Sequence, residues 1–144
     1  MKKILILNGP NINMLGIREP ELYGKQDFKS LITYCERVCA ENGFEMESYQ
    51  SNHEGDLVDK IQDCYGKIDG IVFNPAAYTH TSVAILDAVK AVSIPTIEVH
   101  LTDVNSRDEF RKISYIREAC AATFAGDGFG SYRKAIEKLK EMLG

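Results

Sequence analysis

Short apolar runs rich in β-branched residues alternate with amphipathic segments along the whole chain, and this alternation limits the folds open to it. The runs predict five strands: Lys3–Leu7, Phe44–Tyr49, Gly70–Phe73, Thr96–Leu101 and Ala121–Phe124. Several are apolar on both faces, as parallel strands covered by helices must be. Between these runs, apolar residues repeat at helical spacing and predict helices over Asp27–Asn42, Leu57–Tyr65, Ser82–Val92 and Tyr132–Leu143. The third helix is apolar nearly all round and is expected to be buried on two sides.

Strands that alternate with helices in this way are typical of a doubly wound α/β domain. Because crossovers between parallel strands are right-handed, we predict a flavodoxin-like five-stranded parallel sheet in the order 2-1-3-4-5, with helices on both faces. The chain has 144 residues and no linker-like segment, which predicts a single domain over residues 1–144.

Composition argues against several classes of protein. The net charge of −4 is unlike the basic surface of a nucleic-acid binder. No apolar run approaches the roughly 18 residues of a membrane span, and the N-terminal stretch lacks a signal-peptide cleavage site, so we expect a cytoplasmic protein. The cysteines form no C-x-x-C motif and are expected to be reduced, buried thiols: Cys35, Cys39, Cys64 and Cys120.

The connection after the first strand, from Asn8 to about Gln26, is unusually long. Loops beyond roughly 12–15 residues are typically functional or disordered. Apolar residues that would anchor this one favour a lid over the alternative of an inert loop: Met14, Leu15, Ile17 and Leu22.

Polar residues follow the predicted strands at their carboxyl ends, where such sheets bind ligands. All three histidines of the chain are among them. The residues are Asn8, Asn11, Asn13, Arg18, Tyr23, Asn52, His53, Glu54, Asn74, Tyr78, His80, Glu98, His100 and Thr102, with Arg111 further on. Glu98 and His100 lie two apart on one strand, so their side chains leave the same face. A carboxylate beside an imidazole suits a general acid near neutral pH, although a surface ion pair at the strand end is an alternative.

Three other residues suggest chemistry but leave alternatives open. The pKa of a free tyrosine, about 10, is too high for a base, and a guanidinium such as that of Arg18 would stabilise the phenolate of Tyr23. Taken alone, each of these two residues is more often a packing or surface residue than a catalytic one. Asp87 interrupts an apolar helix and needs a partner, which is either Lys90, another subunit or a ligand.

Two further functions fit parts of the pattern. A binding module for a nucleotide or flavin fits the fold class, although the chain lacks the G-K-[ST] of a phosphate loop. A metal-dependent hydrolase could use His53, His80 and His100, although their spacing does not require a metal.

Several motifs, in order and with matching spacing, closely resemble those of type II 3-dehydroquinate dehydratases. They are Leu7–Asn11, Leu15–Gly16, Arg18–Pro20, Tyr23–Gly24, Gln50–Gly55, Asn74–Pro75, Ala77–Ser82 and Glu98–His100. The resemblance continues from Arg107 to Tyr115 and covers nearly the whole chain.

The resemblance implies a flavodoxin-like hydro-lyase that dehydrates 3-dehydroquinate to 3-dehydroshikimate through an enolate. This is the third step of the shikimate pathway, towards chorismate and the aromatic amino acids. The resemblance also implies no cofactor, no metal and no Schiff-base lysine. It implies self-association as a homododecamer, a tetramer of trimers.

Roles for individual residues come from the same resemblance. Tyr23 corresponds to the base, Arg18 to the residue that keeps it ionised, and His100 to the acid. Glu98 corresponds to the partner that orients His100, and Asn11 to a residue that holds the water assisting the enolate. The matched substrate-binding residues are Asn74, His80, Asp87, Leu101 and Thr102 (through their backbone amides) and Arg111, with Asp87 reaching a neighbouring subunit's site.

The chain departs from the family pattern at three positions. Ala76 stands where the family often has glycine. Thr102 and Asp103 replace a common Ser-Asn pair. Thr102 keeps an amide and a hydroxyl, whereas Asp103 adds a negative charge near the expected carboxylate site.

Overall fold

The structure is a computed structural model that describes residues 1–17, 26–103 and 109–144. Its centre is a parallel sheet of five strands in the order β2-β1-β3-β4-β5. The strands are β1 (Lys3–Asn8), β2 (Glu45–Gln50), β3 (Gly70–Asn74), β4 (Thr96–His100) and β5 (Ala122–Ala125). The predicted fold class and strand order are therefore confirmed.

Helices cover both faces of the sheet, as predicted. They are α1 (Phe28–Glu41), α2 (Glu54–Asp63), α3 (Val83–Val92) and α4 (Phe129–Leu143). Side chains of β1 alternate between the faces, so that Ile4 and Ile6 pack with α1 and α4. Leu5 and Leu7 pack with α2 and α3 on the opposite face. The core is thus divided into two apolar layers by the sheet.

Two helices begin three residues before the predicted position. In α2 the first turn carries Glu54 and Asp56. Carboxylates are favourable there because the N-terminal N–H groups carry partial positive charge. In α4 the helix begins at Phe129, which is buried in the core on the same face as Tyr132, but Gly128 and Gly130 on either side of it favour a turn at this point. An apolar stripe marks the buried face of a helix better than its first residue.

The prediction that α3 is buried on two sides is wrong for the single chain. Ile85 and Val89 lie in the core, whereas Val83 is 51% exposed and Ala84, Asp87 and Ala91 are also exposed. No other element of the described chain packs over this outer face. An apolar surface therefore borders Asp87.

The connection after β1 is anchored by fewer residues than predicted. It begins with a short 3₁₀ helix, Ile12–Met14, and Leu15 is buried in the core. Met14 and Ile17 are 40% and 73% exposed, so the prediction that they anchor the connection is wrong. Leu22, like residues 18–25 as a whole, lies outside the described residues.

Residues 109–119, which we call the strap, run between β4 and β5. They form two 3₁₀ helices, Glu109–Lys112 and Ile116–Ala119. The sequence Ser106-Arg107-Asp108-Glu109 has the pattern of a capping box, which predicts a short helix at this point, but residues 106–108 lie outside the described residues. The backbone N–H of Tyr115 donates to the Thr79 carbonyl over 2.8 Å, which ties the strap to the turn after β3.

In the described ranges, none of the helices combines the length and the apolar character that crossing a membrane requires.

Candidate active site

The carboxyl ends of β1 and β3 meet at the centre of the sheet. Asn8 is paired in register with Asn74, and the Gly9 N–H donates to the Asn74 carbonyl over 2.8 Å. A Cβ atom at Gly9 would lie 2.6 Å from the carbonyl oxygen of Pro75, closer than van der Waals contact allows. Glycine is therefore required for the chain after β1 to pass this close to the end of β3.

The turn after β3 contains a residue in the left-handed region of the backbone. Ala76 has φ 54, and its N–H donates to the Asn74 Oδ1 atom over 3.1 Å. A Cβ atom is unfavourable in this conformation, which glycine adopts without strain. The alanine that this chain has in place of the glycine expected from the resemblance therefore strains the backbone here.

A buried chain of hydrogen bonds joins three elements behind this edge. The hydroxyl of Tyr132, on α4, donates to Asn8 Oδ1 over 2.6 Å and accepts from Asn74 Nδ2 over 2.9 Å. Asn8 Nδ2 is buried and has no hydrogen-bond partner among the described residues. These bonds hold Asn74 with one N–H on Tyr132, which leaves its second N–H for a ligand.

At the end of β4, the carboxylate of Glu98 is fully buried and accepts hydrogen bonds from five side chains. The donors to Oε2 are Thr79 Oγ1 at 2.7 Å, His100 Nε2 at 2.6 Å and Ser114 Oγ at 3.0 Å. The donors to Oε1 are Arg117 Nε at 2.9 Å and Thr123 Oγ1 at 3.2 Å. The predicted contact between Glu98 and His100 is confirmed, and the alternative of a surface ion pair is excluded by burial.

The pKa of Glu98 reflects two opposed effects. Burial raises the pKa because it disfavours the charged form. The hydrogen bond and charge of His100, together with the hydrogen bonds from Arg117 and Thr79, lower the pKa by more than burial raises it. The net result is a pKa lowered to about 2. Glu98 is therefore a carboxylate throughout the physiological range.

The tautomer of His100 follows from this carboxylate. Because the ionised Glu98 can only accept, the Nε2 atom of His100 carries a proton. Nδ1 has no partner among the described residues and is the nitrogen that can exchange a proton with a ligand. His100 is 4% exposed, so its ring is largely shielded from bulk water.

His80 lies near His100 and is held by the strap. Its Nδ1 atom donates to the Ile113 carbonyl over 2.6 Å. Burial lowers the pKa of His80, and the nearby charges of His100 and Arg111 lower it further, against the opposing effect of the Ile113 carbonyl. A neutral His80 with a protonated Nδ1 leaves Nε2 as a hydrogen-bond acceptor.

The loop after β1 is tied to the loop after β2. Asn11, at φ 71, donates its N–H to Asn52 Oδ1 over 3.0 Å. Gln50 Nε2 donates to the Gly9 carbonyl over 3.2 Å. Asn11 is exposed and lies three residues after Asn8 at this edge of the sheet, and its part in a site stays a prediction.

The structure brings some predicted residues together and leaves others apart. Asn74, His80, Glu98 and His100 lie at one edge, and Leu101 directly follows β4, where its carbonyl accepts from Gly128 N–H over 2.9 Å. The further members are the half-buried Thr102, which follows Leu101, and Arg111, whose charge acts on His80. Arg18 and Tyr23 lie outside the described residues.

Asp87 is exposed on the outer face of α3, away from the buried polar groups of its own chain. The alternative that it pairs with Lys90 is wrong, because Lys90 instead contacts Glu118 over 3.3 Å. Its proposed contact with a neighbouring subunit stays a prediction.

The histidines do not form a metal centre in the described chain. His53 caps the N-terminus of α2 and is exposed, and no group of three His, Cys, Asp or Glu side chains is placed around a common point in residues 1–17, 26–103 and 109–144.

Sequence reasoning missed the residues that surround Glu98 and support Asn74. They are Thr79, Ser114, Arg117, Thr123 and Tyr132. Only Arg117 carries a usable signal, since a carboxylate on a buried strand requires a cation and Arg117 is a nearby candidate.

Comparison with known proteins identifies the family. The model of the family described as dehydroquinase class II matches residues 2–140. A 3-dehydroquinate dehydratase from Caldicellulosiruptor bescii is 51% identical over 99% of both chains. A catabolic 3-dehydroquinase 2 from Neosartorya fischeri is 50% identical, over 95% of this chain and 91% of that one.

Solved structures agree with the sequence comparison. The type II dehydroquinase from Butyrivibrio crossotus superimposes with a TM-score of 0.92 at 48% identity, over 96% of this chain and 97% of that one. The type II dehydroquinase from Propionibacterium acnes gives a TM-score of 0.93 at 35% identity, over 98% and 97% of the two chains. The match extends along almost the whole chain in both sequence and backbone, so the resemblance seen in the motifs is confirmed and the protein belongs to the class II dehydroquinase family.

Proposed function

We propose that this chain is a hydro-lyase that dehydrates 3-dehydroquinate to 3-dehydroshikimate in the shikimate pathway, by way of an enolate. The single observation that carries the mechanism is the buried pair of Glu98 and His100, joined over 2.6 Å at the carboxyl edge of the sheet. This pair supplies a positioned proton donor in a site shielded from water, in a chain whose family has the matching reaction in its name.

His100 acts as the general acid in this proposal. Its Nε2–H bond to Glu98 orients the ring, and the carboxylate stabilises the imidazolium that carries the second proton on Nδ1. That proton goes to the departing hydroxyl, the carbon–oxygen bond breaks, and water leaves. Glu98 stays ionised throughout, since its pKa is about 2.

Tyr23 acts as the base and removes the proton from the carbon beside the ketone. Arg18 keeps the phenol ionised, and Asn11 helps to hold the water that assists the enolate. The roles of Tyr23 and Arg18 rest on the family motif alone. An elimination needs one group to take a proton from carbon and another to deliver a proton to oxygen, and Tyr23 and His100 complete that division.

The remaining residues bind an anionic polyol. Asn74 offers its second N–H, His80 its Nε2 acceptor, and Arg111 a positive charge. The backbone amides of Leu101 and Thr102 hold the substrate carboxylate. Neutral donors and acceptors with few charges match a ligand that carries several hydroxyl groups and one carboxylate.

Asp87 completes the site of a neighbouring subunit in a homododecamer built from trimers. Exposed apolar side chains support self-association: Val83, on the same helix as Asp87, is 51% exposed, and Phe110 and Ile113 on the strap are 61% and 54% exposed. Light scattering is expected to give twelve times the mass of the chain, and a monomer would contradict the assembly. The expected location is the cytoplasm.

The reaction is tested by adding 3-dehydroquinate and following the ultraviolet absorbance of the enone product. The unmodified chain is expected to produce it, and Tyr23→Phe is expected to bind substrate while turnover falls by about 10²- to 10⁴-fold. Tyr65→Phe is the matched control, since Tyr65 is 72% exposed and should lose no activity. Absence of product from the unmodified, folded chain would remove the proposed reaction, and full turnover by Tyr23→Phe would remove the assigned base.

A further inference from the structure

The two oxygens of the Glu98 carboxylate serve different partners. Oε2 contacts His100, whereas Oε1 contacts the guanidinium of Arg117 over 2.9 Å. Arg117 is not among the residues that the family motifs assign to the reaction. Its side chain is 35% exposed and Glu98 is 0% exposed, so the guanidinium closes the buried carboxylate off from the surface.

We propose that Arg117 is a positioning residue for the dehydration: acting through Glu98, it fixes the carboxylate plane and limits how tightly Glu98 holds the protonated His100. The proposal rests on the proposed function, because it takes His100 to be the acid.

The geometric part of the argument concerns rotation of the carboxylate. Bonds from Arg117 and Thr123 to Oε1 prevent the two oxygens from exchanging places, so Oε2 stays on His100 Nε2. Ser114 holds Arg117 in turn, since its hydroxyl accepts the Arg117 backbone N–H over 3.2 Å and donates to Oε2 over 3.0 Å. The strap thus delivers Arg117 to one fixed position.

The electrostatic part concerns the shared negative charge. The charged or titratable described groups that act on His80 or Glu98 include His100 and Glu98 on β4, and Arg111 and Arg117 on the strap. Cys120, directly after the strap, also interacts with Glu98 and Arg117, but burial raises the pKa of its thiol to about 12, so it is neutral. Glu98 is the anion that bonds both His100 and Arg117. Without the guanidinium, the negative charge of Glu98 would no longer be partly neutralised by Arg117. Its attraction to the imidazolium of His100 would then be stronger, so the imidazolium would be a weaker acid.

The test compares three variants of Arg117 in the full chain. Arg117→Met keeps the aliphatic stem without charge, Arg117→Gln keeps a hydrogen-bond donor without charge, and Arg117→Lys keeps the charge. For Met and Gln we expect kcat to fall about tenfold, KM to stay within about twofold, and the alkaline limb of the kcat profile to move to higher pH. Arg117→Lys should restore most of kcat and the original limb. Arg37→Met is the control, because Arg37 is exposed on α1 and should change none of these values.

Other results would overturn the proposal. An unchanged kcat profile in Arg117→Gln, even with lowered stability, would reduce Arg117 to a structural role, as would a failure of lysine to rescue. A comparison of kcat in Arg117→Met and Arg117→Gln also distinguishes the loss of the hydrogen-bond donor from the loss of the charge. Equal kcat values in the two variants support the charge as the important property. If Arg117→Met does not fold, Arg117→Gln and Arg117→Lys decide the matter.

A second measurement separates this proposal from the proposed function. The ¹⁵N NMR titration of the His100 ring does not depend on turnover. If the unmodified chain fails to dehydrate 3-dehydroquinate, the function fails, but the His100 midpoint should still rise in Arg117→Gln relative to the unmodified chain. A midpoint that stays in place would refute the coupling by itself.

Discussion

Two buried polar groups at the same edge of the sheet are satisfied to different degrees. The Glu98 carboxylate at the end of β4 accepts from five side chains, one of them a guanidinium. At the end of β1, Asn8 shares one hydroxyl with Asn74, and its Nδ2 atom has no acceptor among the described residues.

Charge explains the difference. Burial of an ion costs several kcal/mol even after relaxation, so a carboxylate is retained only where donors and a counter-ion surround it. An unpaired amide costs about 1–3 kcal/mol, which a folded domain can tolerate at a site that binds ligands. The charged Glu98 is therefore the structural hub of the site. The hydrogen bonds that join Asn8, Tyr132 and Asn74, which we call the neutral chain, leave some donors without a partner among the described residues.

The largest expected effect comes from Glu98→Gln, which removes the charge of the hub. Because Arg117 and His100 lose their shared partner, we expect the free energy of unfolding to fall by about 3–5 kcal/mol, with loss of turnover. Urea denaturation followed by circular dichroism measures this. Glu47→Gln is the control, since Glu47 pairs with Lys60 at a position that is 33% exposed and should cost under about 1 kcal/mol. Equal losses in both variants would contradict the comparison.

The pH dependence of stability tests the same charge without a large structural change. The folded pKa of Glu98 is about 2, against an ordinary value of 4.5. A lowered folded pKa stabilises the protein above the unfolded pKa, and this contribution is lost as pH falls towards the folded pKa. We expect a loss of about 3 kcal/mol from Glu98 between about pH 5 and pH 2. The difference in unfolding free energy between the unmodified chain and Glu98→Gln should therefore become smaller on acidification. A difference that does not change with pH would contradict the lowered pKa of Glu98.

Tyr132→Phe tests the neutral chain. It leaves Asn8 Oδ1 and Asn74 Nδ2 without the hydroxyl, so we expect a loss of about 1–3 kcal/mol, smaller than that for Glu98. Thermal and urea unfolding measure it, with the exposed Tyr65→Phe as the matched control. A loss as large as that of Glu98→Gln would remove the distinction between the two regions.

The smallest effect is expected beside the neutral chain, at Ala76. Glycine relieves the strain at φ 54 but adds freedom to the unfolded chain, so Ala76→Gly should stabilise the protein by only about 0.5–1 kcal/mol. Ala77→Gly, in the same 3₁₀ helix, should instead destabilise it, because Ala77 has no positive φ. Destabilisation by both changes would show that Ala76 is not strained at its positive φ.

The sheet could be predicted from the sequence because its strands are local apolar runs, and the strand order follows from a general rule on crossovers. The contact between Glu98 and His100 could also be predicted from local sequence, since side chains two residues apart on a strand lie on the same face. The first turn of α2 was missed because it is polar, and that of α4 was missed because Phe129 stands between two glycines.

The donors to Glu98 could not be predicted, because their positions depend on packing between distant segments. Thr79 and Ser114 carry no sequence signal, and Arg117 reaches the carboxylate only because the strap folds back on the turn after β3. The exposed face around Asp87 was misjudged because an apolar pattern records that a surface is to be covered, whether by the same chain or by another.

The Glu98 hub also bears on the order of folding. Apart from His100, its donors lie 16 to 25 residues away in the chain, and Tyr132 of the neutral chain lies later still. A carboxylate enclosed before these residues arrive would be an unpaired ion in an apolar layer, so its enclosure belongs to the last stage of folding. On the ribosome, a nascent chain would have to extend beyond Thr123 before all the donors to Glu98 could be in place. It would have to extend through α4 before Asn74 could be held, so this edge of the sheet and the completed fold would be reached together.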